Sequence, residues 1–465
     1  MNDNDKRNAA RLRAGAEHAE RLHELQQRLA KAMEWLAARC PFEPIGHSNG
    51  VMWLSTNSKE LRGLGAKELS RNGLSILCGK HQDWAIREYP RVRKGRNAVP
   101  DSFAPEKLTD AIIRACHEMG YWSPHNHIRG RGAWKGEDGD LVVHLGDRLL
   151  VNGRLIDCGR RGEYVYPVGD QLLRPAREAQ EAGRNGPGGE LLRRLASFNW
   201  RRGQLDQILL LGWIAQGFIS GALDERAHVF TTGERGTGKS TLQLLLGQIF
   251  GNWLVRSSDA TAAGLWQALH YDCLPVALDE LEHDADNPRI EALIKLARQA
   301  TTGGLVLRGG ADHHGAQFTA LSPFMFAGIV MPALRAQDRS RLAQIDLGAL
   351  TPGPLFTVAG LEVIGRGLFR RMADHWWRLR DEVLPTVRIE LEAAGWDSRG
   401  SSVYGALLAC ALVVLHDELP MSELRDWVAM LEEARLAHRA DEAPTWRRCL
   451  DHMLAVPVDP MKRGE

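Results

Sequence analysis

The strongest constraint on the fold is a glycine-rich stretch in the middle of the chain. It contains two glycines separated by four residues and followed by lysine and serine, and it comprises Gly233, Glu234, Arg235, Gly236, Thr237, Gly238, Lys239, Ser240 and Thr241. The apolar run at residues 228–232 predicts a strand before it, and residues 242–250 predict a helix after it. A strand, a glycine-rich turn and a helix in this order predict a phosphate-binding loop.

The residue types in this stretch suit a nucleoside triphosphate. Glycines let backbone N–H groups point inward at an anion, beside the positive end of a helix. Lys239 is placed to meet the β- and γ-phosphates, and the Ser240 hydroxyl is placed to bind Mg²⁺. Because most of the 59 basic residues are arginine, a lysine at this position is informative. We therefore expect ATP and Mg²⁺ as cofactors, with an ordinary glycine-rich turn as the alternative.

Two carboxylates follow a second apolar run downstream. Residues 274–278 predict a buried strand, and Asp279 and Glu280 come directly after it. In an ATPase of this kind the first carboxylate holds Mg²⁺, directly or through water, and the second orients or deprotonates the attacking water. We therefore predict Asp279 as a metal ligand and Glu280 as a catalytic residue. A strand that simply ends in surface acids is the alternative.

The length of the chain, 465 residues, predicts several domains. We expect an α/β core, a parallel sheet flanked by helices, with an N-terminal α+β accessory domain and a C-terminal helical domain. Residues 403–415 and 421–436 predict helices in the last part, as do residues 445–454, and Trp376, Trp377 and Trp427 are predicted to pack in its core. The expected division is 1–38 for an N-terminal helix, 39–100 for a small α/β domain, 101–190 for an accessory domain ending in a glycine-rich linker, 191–350 for the ATPase domain and 351–465 for the helical domain.

The composition is typical of a cytoplasmic protein without a membrane span. The seven cysteines are scattered and contain no C-x-x-C pair, which argues against a disulfide framework or a zinc ribbon. The apolar stretches at residues 208–219 and 403–415 are too short to span a bilayer, so we predict buried helices. Because the formal net charge is only +1, any nucleic-acid binding must come from local basic patches.

The N-terminal residues 6–37 predict one long helix. Leucines and an alanine recur three and four residues apart between Leu22 and Leu36, and charged residues fill the other positions. Such a seam fits a self-association helix. A helix that lies on its own domain fits the same pattern equally well.

Several further segments, taken in order with the glycine-rich stretch and the Asp279-Glu280 pair, resemble one family. Two Gly-Gly pairs flank the apolar run at residues 305–307 and predict a hairpin with an exposed tip. Lys295 precedes this hairpin, and a buried run at residues 324–330, Pro332 and the sequence Asp338-Arg339-Ser340-Arg341 follow it. In this order, the segments resemble the superfamily III helicases, the AAA+-related ATPases of phage and mobile-element primase-helicases. The resemblance covers roughly residues 125–350.

The resemblance implies a ring, usually a hexamer, with ATP bound between subunits. It implies that an arginine from the neighbouring subunit completes the site, and the candidates are Arg339 and Arg341. It also implies a pore hairpin near single-stranded DNA, with Arg308, His313 and His314 as candidate contacts; an exposed loop is the alternative for the histidines. The implied function is that of a replicative DNA helicase, an ATPase that moves along single-stranded DNA.

One feature departs from the family. The family usually has a polar residue, often asparagine, just before the proline near Pro332, but the residues here are Ala327-Gly328-Ile329-Val330-Met331. This departure leaves open a loader or remodeller that does not unwind DNA, or an ATP-dependent assembly scaffold. No primase motif is visible, so a primase, if needed, would be a separate chain.

Overall fold

The structure is a computed structural model of the chain. It describes residues 3–91, 100–279, 281, 288–308, 316–332, 334–349 and 357–441, and it leaves undescribed the side chains of residues 3–15, 126, 305–308, 316–319, 336 and 436–441.

The N-terminal unit packs one long helix and three shorter ones against a small sheet. Its elements are α1 (Asp3–Trp35), β1 (Phe42–Ser48), β2 (Val51–Thr56), β3 (Leu61–Leu64), α2 (Arg71–Cys78), α3 (Gln82–Glu88) and α4 (Pro105–Met119). The sheet is antiparallel in the order β1-β2-β3. The predicted long helix is therefore present.

The apolar seam of α1 faces its own chain in its second half. Ala32 and Leu36 are buried in one hydrophobic cluster with residues from the sheet and from α2 to α4, and Leu25 and Leu29 pack against it. The same cluster extends to Met119, so it runs across the boundaries expected at residues 38 and 100. This packing is the arrangement predicted for a helix that lies on its own domain.

The middle of the chain forms two small antiparallel sheets. Its elements are α5 (Pro124–His127), β4 (Gly132–Lys135), β5 (Leu141–His144), β6 (Arg148–Val151), β7 (Arg154–Asp157), β8 (Gly159–Arg161) and β9 (Tyr164–Tyr166). The first sheet has the order β4-β5-β6-β7, and the second pairs β8 with β9. Apolar residues of β4 to β6 join the main hydrophobic cluster of the protein.

A five-stranded parallel sheet forms the centre of the structure. Its elements, with the helices between them, are α6 (Pro187–Leu195), α7 (Gln204–Gly217), β10 (His228–Thr232), α8 (Lys239–Phe250), β11 (Val255–Ser257), α9 (Ala262–Leu269), β12 (Val276–Leu278), α10 (Pro288–Ala300), β13 (Leu305–Arg308), β14 (Ala316–Thr319), β15 (Phe324–Gly328), α11 (Ala336–Arg339) and β16 (Leu342–Asp346). The strand order is β11-β12-β15-β10-β16. All four strand pairs are parallel. This α/β sheet flanked by helices agrees with the expected fold class.

The C-terminal part is helical. It contains α12 (Leu361–Asp374), α13 (Trp376–Arg378), α14 (Leu384–Ala393), α15 (Ser398–Leu415) and α16 (Met421–Asp441), with a π-helical turn at Leu379–Val383. Trp376 and Trp427 are buried as predicted, but Trp377 is 44% exposed, so that prediction was wrong. Trp377 instead stacks its ring under the guanidinium of Arg380, 4.2 Å from the ring centroid. The helix predicted at residues 445–454 lies outside the described residues.

The C-terminal helices share a core with the central sheet. A Cβ on Gly212 of α7 would lie 2.0 Å from the Leu407 carbonyl oxygen of α15, so only glycine permits this helix crossing. One described helix, Ser398–Leu415, is long and apolar enough to cross a membrane, and 72% of that window is buried in the protein. The apolar residues of α7 and α15 are thus core residues, as predicted.

The stretch predicted as a linker differs from expectation. Residues 186–189 are buried, and they begin α6. A Cβ on Gly188 would lie 2.7 Å from the Val414 carbonyl oxygen. A glycine is needed here because two backbones approach closely, and the sequence pattern of a close approach resembles that of a flexible linker.

Candidate functional site

The central sheet has two ends that carry different residues. We call the end where the parallel strands finish its carboxyl end, and the end where they start its amino end. Thr232, Gly328 and Asp346 lie side by side at the carboxyl end, in register. Ser257 pairs with Leu278 at the same end. In open α/β sheets, ligands bind beyond the carboxyl ends of the strands.

The glycine-rich stretch forms the turn between β10 and α8 at the carboxyl end. Gly236 and Gly238 have φ angles of 80° and 95°, a region that favours glycine. A Cβ on Gly233 would lie 2.5 Å from Thr237 Oγ1, and that hydroxyl donates to the Glu234 carbonyl oxygen at 2.9 Å. The tight curl of this turn therefore depends on its glycines.

Lys239 is the first residue of α8, and its ammonium folds back over the turn. Lys239 Nζ donates to the carbonyl oxygens of Gly233 and Glu234, the latter at 2.9 Å. Its side chain is half-buried, whereas Ser240 is exposed beside it and Thr241 is half-buried. The turn exposes Glu234, Arg235 and Gly236 to solvent. A cation and a helix N-terminus thus face the same small space, which suits an anion.

The strand before the turn is fixed on both sides. Thr232 Oγ1 donates to a carboxylate oxygen of Asp346, which also accepts from Gln344 Nε2 at 2.7 Å. The backbone N–H of Leu347 donates to Thr232 at 2.8 Å, and that of Gly233 donates to Ile329 at 3.3 Å. These bonds set where the glycine-rich turn leaves the sheet.

Asp279 lies at the same end of the sheet, directly after β12. Its backbone N–H donates to the Ser257 carbonyl oxygen at 3.1 Å. A pocket of about 550 Å³ is lined by Ser240, Gln243, Leu244, Arg256, Ser257, Ser258 and Asp279. The structure therefore brings Ser240 and Asp279, the two residues predicted to hold Mg²⁺, to one pocket. Glu280 lies outside the described residues.

Strand β15 lies between the strand of the glycine-rich turn and the strand of Asp279. Its last residues, Ala327 and Gly328, are buried and carry no polar side chain, and Ile329 follows. A Cβ on Gly328 would lie 2.8 Å from the Leu281 carbonyl oxygen. Backbone crowding thus explains why no larger side chain occupies Gly328.

One residue that the sequence did not mark lines this pocket. Gln243 is 5% exposed, and neither its amide nitrogen nor its amide oxygen has a hydrogen-bond partner in the described structure. Its backbone carbonyl accepts from Arg256 Nη1 at 3.1 Å. In the sequence it is simply one polar residue in an apolar helix, so only burial reveals it.

The two candidate arginines lie at the opposite, amino end of the sheet. Arg339 ends α11, and Arg341 directly precedes β16, whose first residue pairs with His228. Arg341 Nη1 donates to the Gln337 carbonyl oxygen at 2.9 Å. Six residues along β16 separate Arg341 from the level of the glycine-rich turn. This separation corresponds to about 20 Å along a strand. The arginine therefore cannot reach a phosphate at the turn of its own chain.

The amino end is also strongly basic. Burial, and then the neighbouring Arg399 and Arg298, lower the pKa of the Arg341 guanidinium. Asp338 partly compensates this charge and forms an ion pair with Arg298 at 2.9 Å. Three arginines face two carboxylates, Asp338 and Glu225, and the excess positive charge favours an anion from outside the chain.

The candidate hairpin starts from the same end of the sheet. Strands β13 and β14 pair antiparallel, with Arg308 opposite Ala316, so the predicted hairpin is present. The side chain of Arg308 is not described, and His313 and His314 lie outside the described residues. The predicted DNA contacts of these three residues therefore stay predictions.

Two buried residues, Arg226 and His228, anchor the chain on either side of this hairpin. The guanidinium of Arg226 is 2% exposed and donates only to carbonyl oxygens, those of Ser220, Leu223, Ala300 and Thr301. Ala300 is the last residue of α10, so a cation neutralises the negative end of that helix. Burial lowers the pKa of this guanidinium to about 10.

His228, the first residue of β10, bonds to Thr301 before the hairpin and to Phe324 after it. Its Nδ1 accepts from the Phe324 backbone N–H at 3.0 Å, and its Nε2 pairs with Thr301 Oγ1 at 3.1 Å. Burial, and then the Arg226 charge, lower the pKa of the imidazole to about 3, so the ring is neutral. The strand that leads to the glycine-rich turn thus also anchors the hairpin.

The described residues contain no cluster of three or more histidine, cysteine, aspartate or glutamate side chains that could hold a metal by themselves. A cation at Ser240 and Asp279 would therefore take further ligands from a nucleotide and from water, as Mg²⁺ does.

Comparisons with known proteins gave matches among solved structures. No family model matches the chain, and no curated protein matches it. Among solved structures, an apo structure of the C-terminal region of NrS-1 is similar, with a TM-score of 0.37, 13% identity and coverage of 83% of this chain and 90% of that chain. A second structure, of NrS-1 residues 305–718, gives a TM-score of 0.37 with 12% identity and coverage of 83% and 90%. This similarity is too low to support an argument about activity.

Proposed function

We propose that this protein is a ring-forming ATPase, a hexamer that moves along single-stranded DNA as a replicative helicase of a prophage or mobile element. The observation that carries the proposal is the pocket at the carboxyl end of the sheet, which Ser240 and Asp279 line together. It lies beside a glycine-rich turn and the start of a helix, where backbone N–H groups and Lys239 can hold phosphates.

In this proposal the chain supplies oxygen ligands for Mg²⁺. A hydroxyl and a carboxylate are the hard donors that this ion prefers, and the exposure of Ser240 leaves room for phosphate oxygens and water. When bound, Mg²⁺ would neutralise charge that develops on the transferring phosphoryl group. Glu280, next to Asp279, is proposed to accept the proton of the attacking water.

A second copy of the chain would complete the site. Arg341 lies about 20 Å along the strand direction from the turn of its own chain, and Arg339 lies two residues before it. Both are therefore proposed to serve a phosphate across an interface. The basic surroundings of Arg341 favour such an anion. A positive charge placed there would stabilise the transition state of phosphoryl transfer.

Single-stranded DNA is the proposed partner of the hairpin. The hairpin leaves the sheet at the amino end, on the same side as the arginines and away from the glycine-rich turn. Arg308, His313 and His314 are the proposed contacts. A DNA site and an ATP site at opposite ends of one strand allow a ring to act on both at once.

The test measures assembly and turnover together. We expect mass measurement to show a larger assembly with ATP and single-stranded DNA than without them, and we expect DNA to stimulate hydrolysis and strand displacement. Absence of DNA stimulation, with no change on Arg308→Ala substitution, would remove the helicase proposal.

A mixing experiment tests the shared site. Arg341→Ala should retain ATP binding and lose roughly 1000-fold in turnover. Mixing it with Lys239→Ala should restore part of the activity, because some interfaces then combine an intact turn with an intact arginine. Arg335→Ala is the matched control, since this arginine is 71% exposed and pairs with Glu291 on the surface. Failure of mixing to restore any activity would contradict a shared site.

A second candidate is a DNA-binding loader or remodeller, or an ATP-dependent scaffold, that changes assembly state without unwinding DNA. The observation that favours it is the end of β15, where no polar side chain is present to orient a water molecule. Such a protein would assemble with ATP, show slow turnover and displace no strand. A separate primase or another replication protein is a further proposed partner under either proposal.

A further inference from the structure

The buried amide of Gln243 has no function within the fold itself. It lies on α8, one turn beyond Ser240, in a helix whose other buried residues are apolar: Leu242, Leu245, Leu246, Ile249 and Phe250. Both amide atoms are buried without a hydrogen-bond partner in the described structure. A buried amide without partners is unfavourable, and leucine would fill the same volume without this cost.

Helix geometry favours a Gln243 side chain that lies over the start of α8, beside the proposed nucleotide site. In an α-helix the Cα–Cβ bonds tilt toward the N-terminus, so a long side chain covers the turn that precedes it. For Gln243 that turn contains Lys239 and Ser240, four and three residues earlier. Gln243 also lines the pocket together with Ser240 and Asp279.

The rest of the pocket lacks an equivalent group on the neighbouring strand. Ala327 and Gly328, the last residues of β15, and Ile329 after them carry no polar side chain. Any water that is ordered there must therefore bond to groups from elsewhere. Gln243 is a buried, unpartnered polar side chain in the same pocket, and an amide can both donate to and accept from water.

We infer that Gln243 is a positioning residue for the divalent cation: its amide holds a water molecule bound to the cation that Ser240 and Asp279 would hold. This inference rests on the proposed ATP site. Partners that lie beyond the direct ligands fix the geometry of a metal site and affect its affinity. Gln243 of α8 thus supplies the pocket with a polar side chain, whereas β15 supplies none.

The test measures Mg²⁺ dependence of nucleotide binding rather than turnover. A fluorescent ADP analogue is titrated into the full chain at a series of Mg²⁺ concentrations, and the half-saturating Mg²⁺ concentration is recorded for each variant. Gln243→Leu should raise this concentration roughly tenfold, the effect of one lost hydrogen bond. Thermal unfolding without nucleotide should show Gln243→Leu at least as stable as the original protein, because two unpartnered atoms are removed.

Gln243→Leu is thus expected to raise the half-saturating Mg²⁺ concentration without loss of stability. This combination distinguishes a positioning role of Gln243 from a packing role. A purely structural glutamine would change stability and leave the Mg²⁺ dependence unchanged. Gln248→Leu is the matched control, since Gln248 is exposed on the same helix, and it should change neither quantity. Gln243→Glu gives a second reading if the leucine variant does not fold: its added negative charge should lower the half-saturating Mg²⁺ concentration.

The outcomes separate this inference from the function on which it rests. If the unsubstituted protein binds no nucleotide at any Mg²⁺ concentration, the proposed ATP site is wrong. If it binds nucleotide and both Gln243 variants keep its half-saturating Mg²⁺ concentration, the ATP site stands and the role of Gln243 is overturned.

Discussion

The two ends of the central sheet are built from the same strands but in opposite ways. At the carboxyl end, Lys239 contacts only carbonyl oxygens of its own turn, Ser240 is exposed, and Gln243 has no described partner for its amide. At the amino end, Arg226 and His228 are buried, and each bonds to several groups. The Gln243 amide is thus left without a described partner at one end, whereas the buried Arg226 and His228 side chains are hydrogen-bonded at the other.

The contrast separates residues that are available for a ligand from residues that hold the fold together. An unpaired buried polar group costs stability, so the unpartnered amide of Gln243 favours a site whose ligand supplies the partner. The Arg226 guanidinium and the neutral His228 ring instead bond to the end of α10, to Thr301 and to Phe324. Substitutions of Lys239 should therefore change binding, and those of Arg226 and His228 should change stability.

The largest expected effect is at the carboxyl end. Lys239→Ala should weaken ATP binding by roughly 100-fold or more, because an ammonium that contacts two phosphates is lost. Its unfolding free energy should change little, since Lys239 bonds only to an exposed turn. Lys107→Ala, at an exposed position of α4, is the control. Unfolding of the Lys239→Ala variant, or normal ATP binding by it, would contradict the claim that Lys239 serves binding and not stability.

A loss of stability is expected at the amino end. Arg226→Met leaves four buried carbonyl oxygens without their donor, and we expect the unfolding free energy to fall by about 3 kcal/mol. Urea unfolding of the nucleotide-free protein measures this change. Arg335→Met, at the surface, should stay within about 0.5 kcal/mol. Equal effects of the two substitutions would show that the buried arginine does not hold the amino end together.

The pH dependence of stability sharpens the same point. The pKa of His228 is about 3 in the folded protein, below its ordinary value of 6.5, so the unfolded chain binds more protons between these values. The contribution of His228 is therefore present above pH 6.5 and is lost as the pH falls below it, by up to about 1.4 kcal/mol per pH unit.

Replacement of the histidine isolates this contribution. Other histidines with lowered pKa values, such as His144 and His375, act in the same direction. The relevant quantity is the slope of unfolding free energy against pH, compared between the original protein and His228→Asn. Urea unfolding from pH 7 down toward pH 5 measures it. The asparagine variant should have the smaller slope, and identical slopes would contradict a buried neutral histidine.

The smallest effect is expected where the strand enters the glycine-rich turn. Thr232→Val removes the hydroxyl that donates to Asp346, and it should lower the unfolding free energy by about 1 kcal/mol. Asp346 keeps its bond from Gln344, so the loss is limited. ATP binding should weaken less than in Lys239→Ala. A larger binding defect than that of Lys239→Ala would mean that strand position matters more than charge.

The sequence predicted those helices and strands whose local residue pattern matches the surroundings that they have in the folded protein. The strand before residue 233, the helix after it and the hairpin before residue 320 follow from apolar periodicity and from glycine placement, and all three are present. The strand of Asp279 was visible for the same reason. What the sequence could not show was their adjacency, which the parallel strand order creates.

The failures share a cause: the meaning of a residue depended on contacts distant in sequence. Gly188 fits a linker pattern, yet it is glycine because Val414 lies against it. Arg226 is an ordinary cation before a strand in the sequence, yet carbonyl oxygens on both sides of it in the chain accept its hydrogen bonds, those of Ser220, Leu223, Ala300 and Thr301. Gln243 looks like a polar position on a helix, and only the packing of α8 on the sheet buries it.

Titration calorimetry of the full chain with ATP in the presence of Mg²⁺ tests the central claim most directly. The claim is that the carboxyl end of the sheet holds a triphosphate through the glycine-rich turn and Lys239. We predict saturable binding of one ATP per chain, lost in Lys239→Ala. No binding by the original protein, or equal binding by the two proteins, would contradict the account.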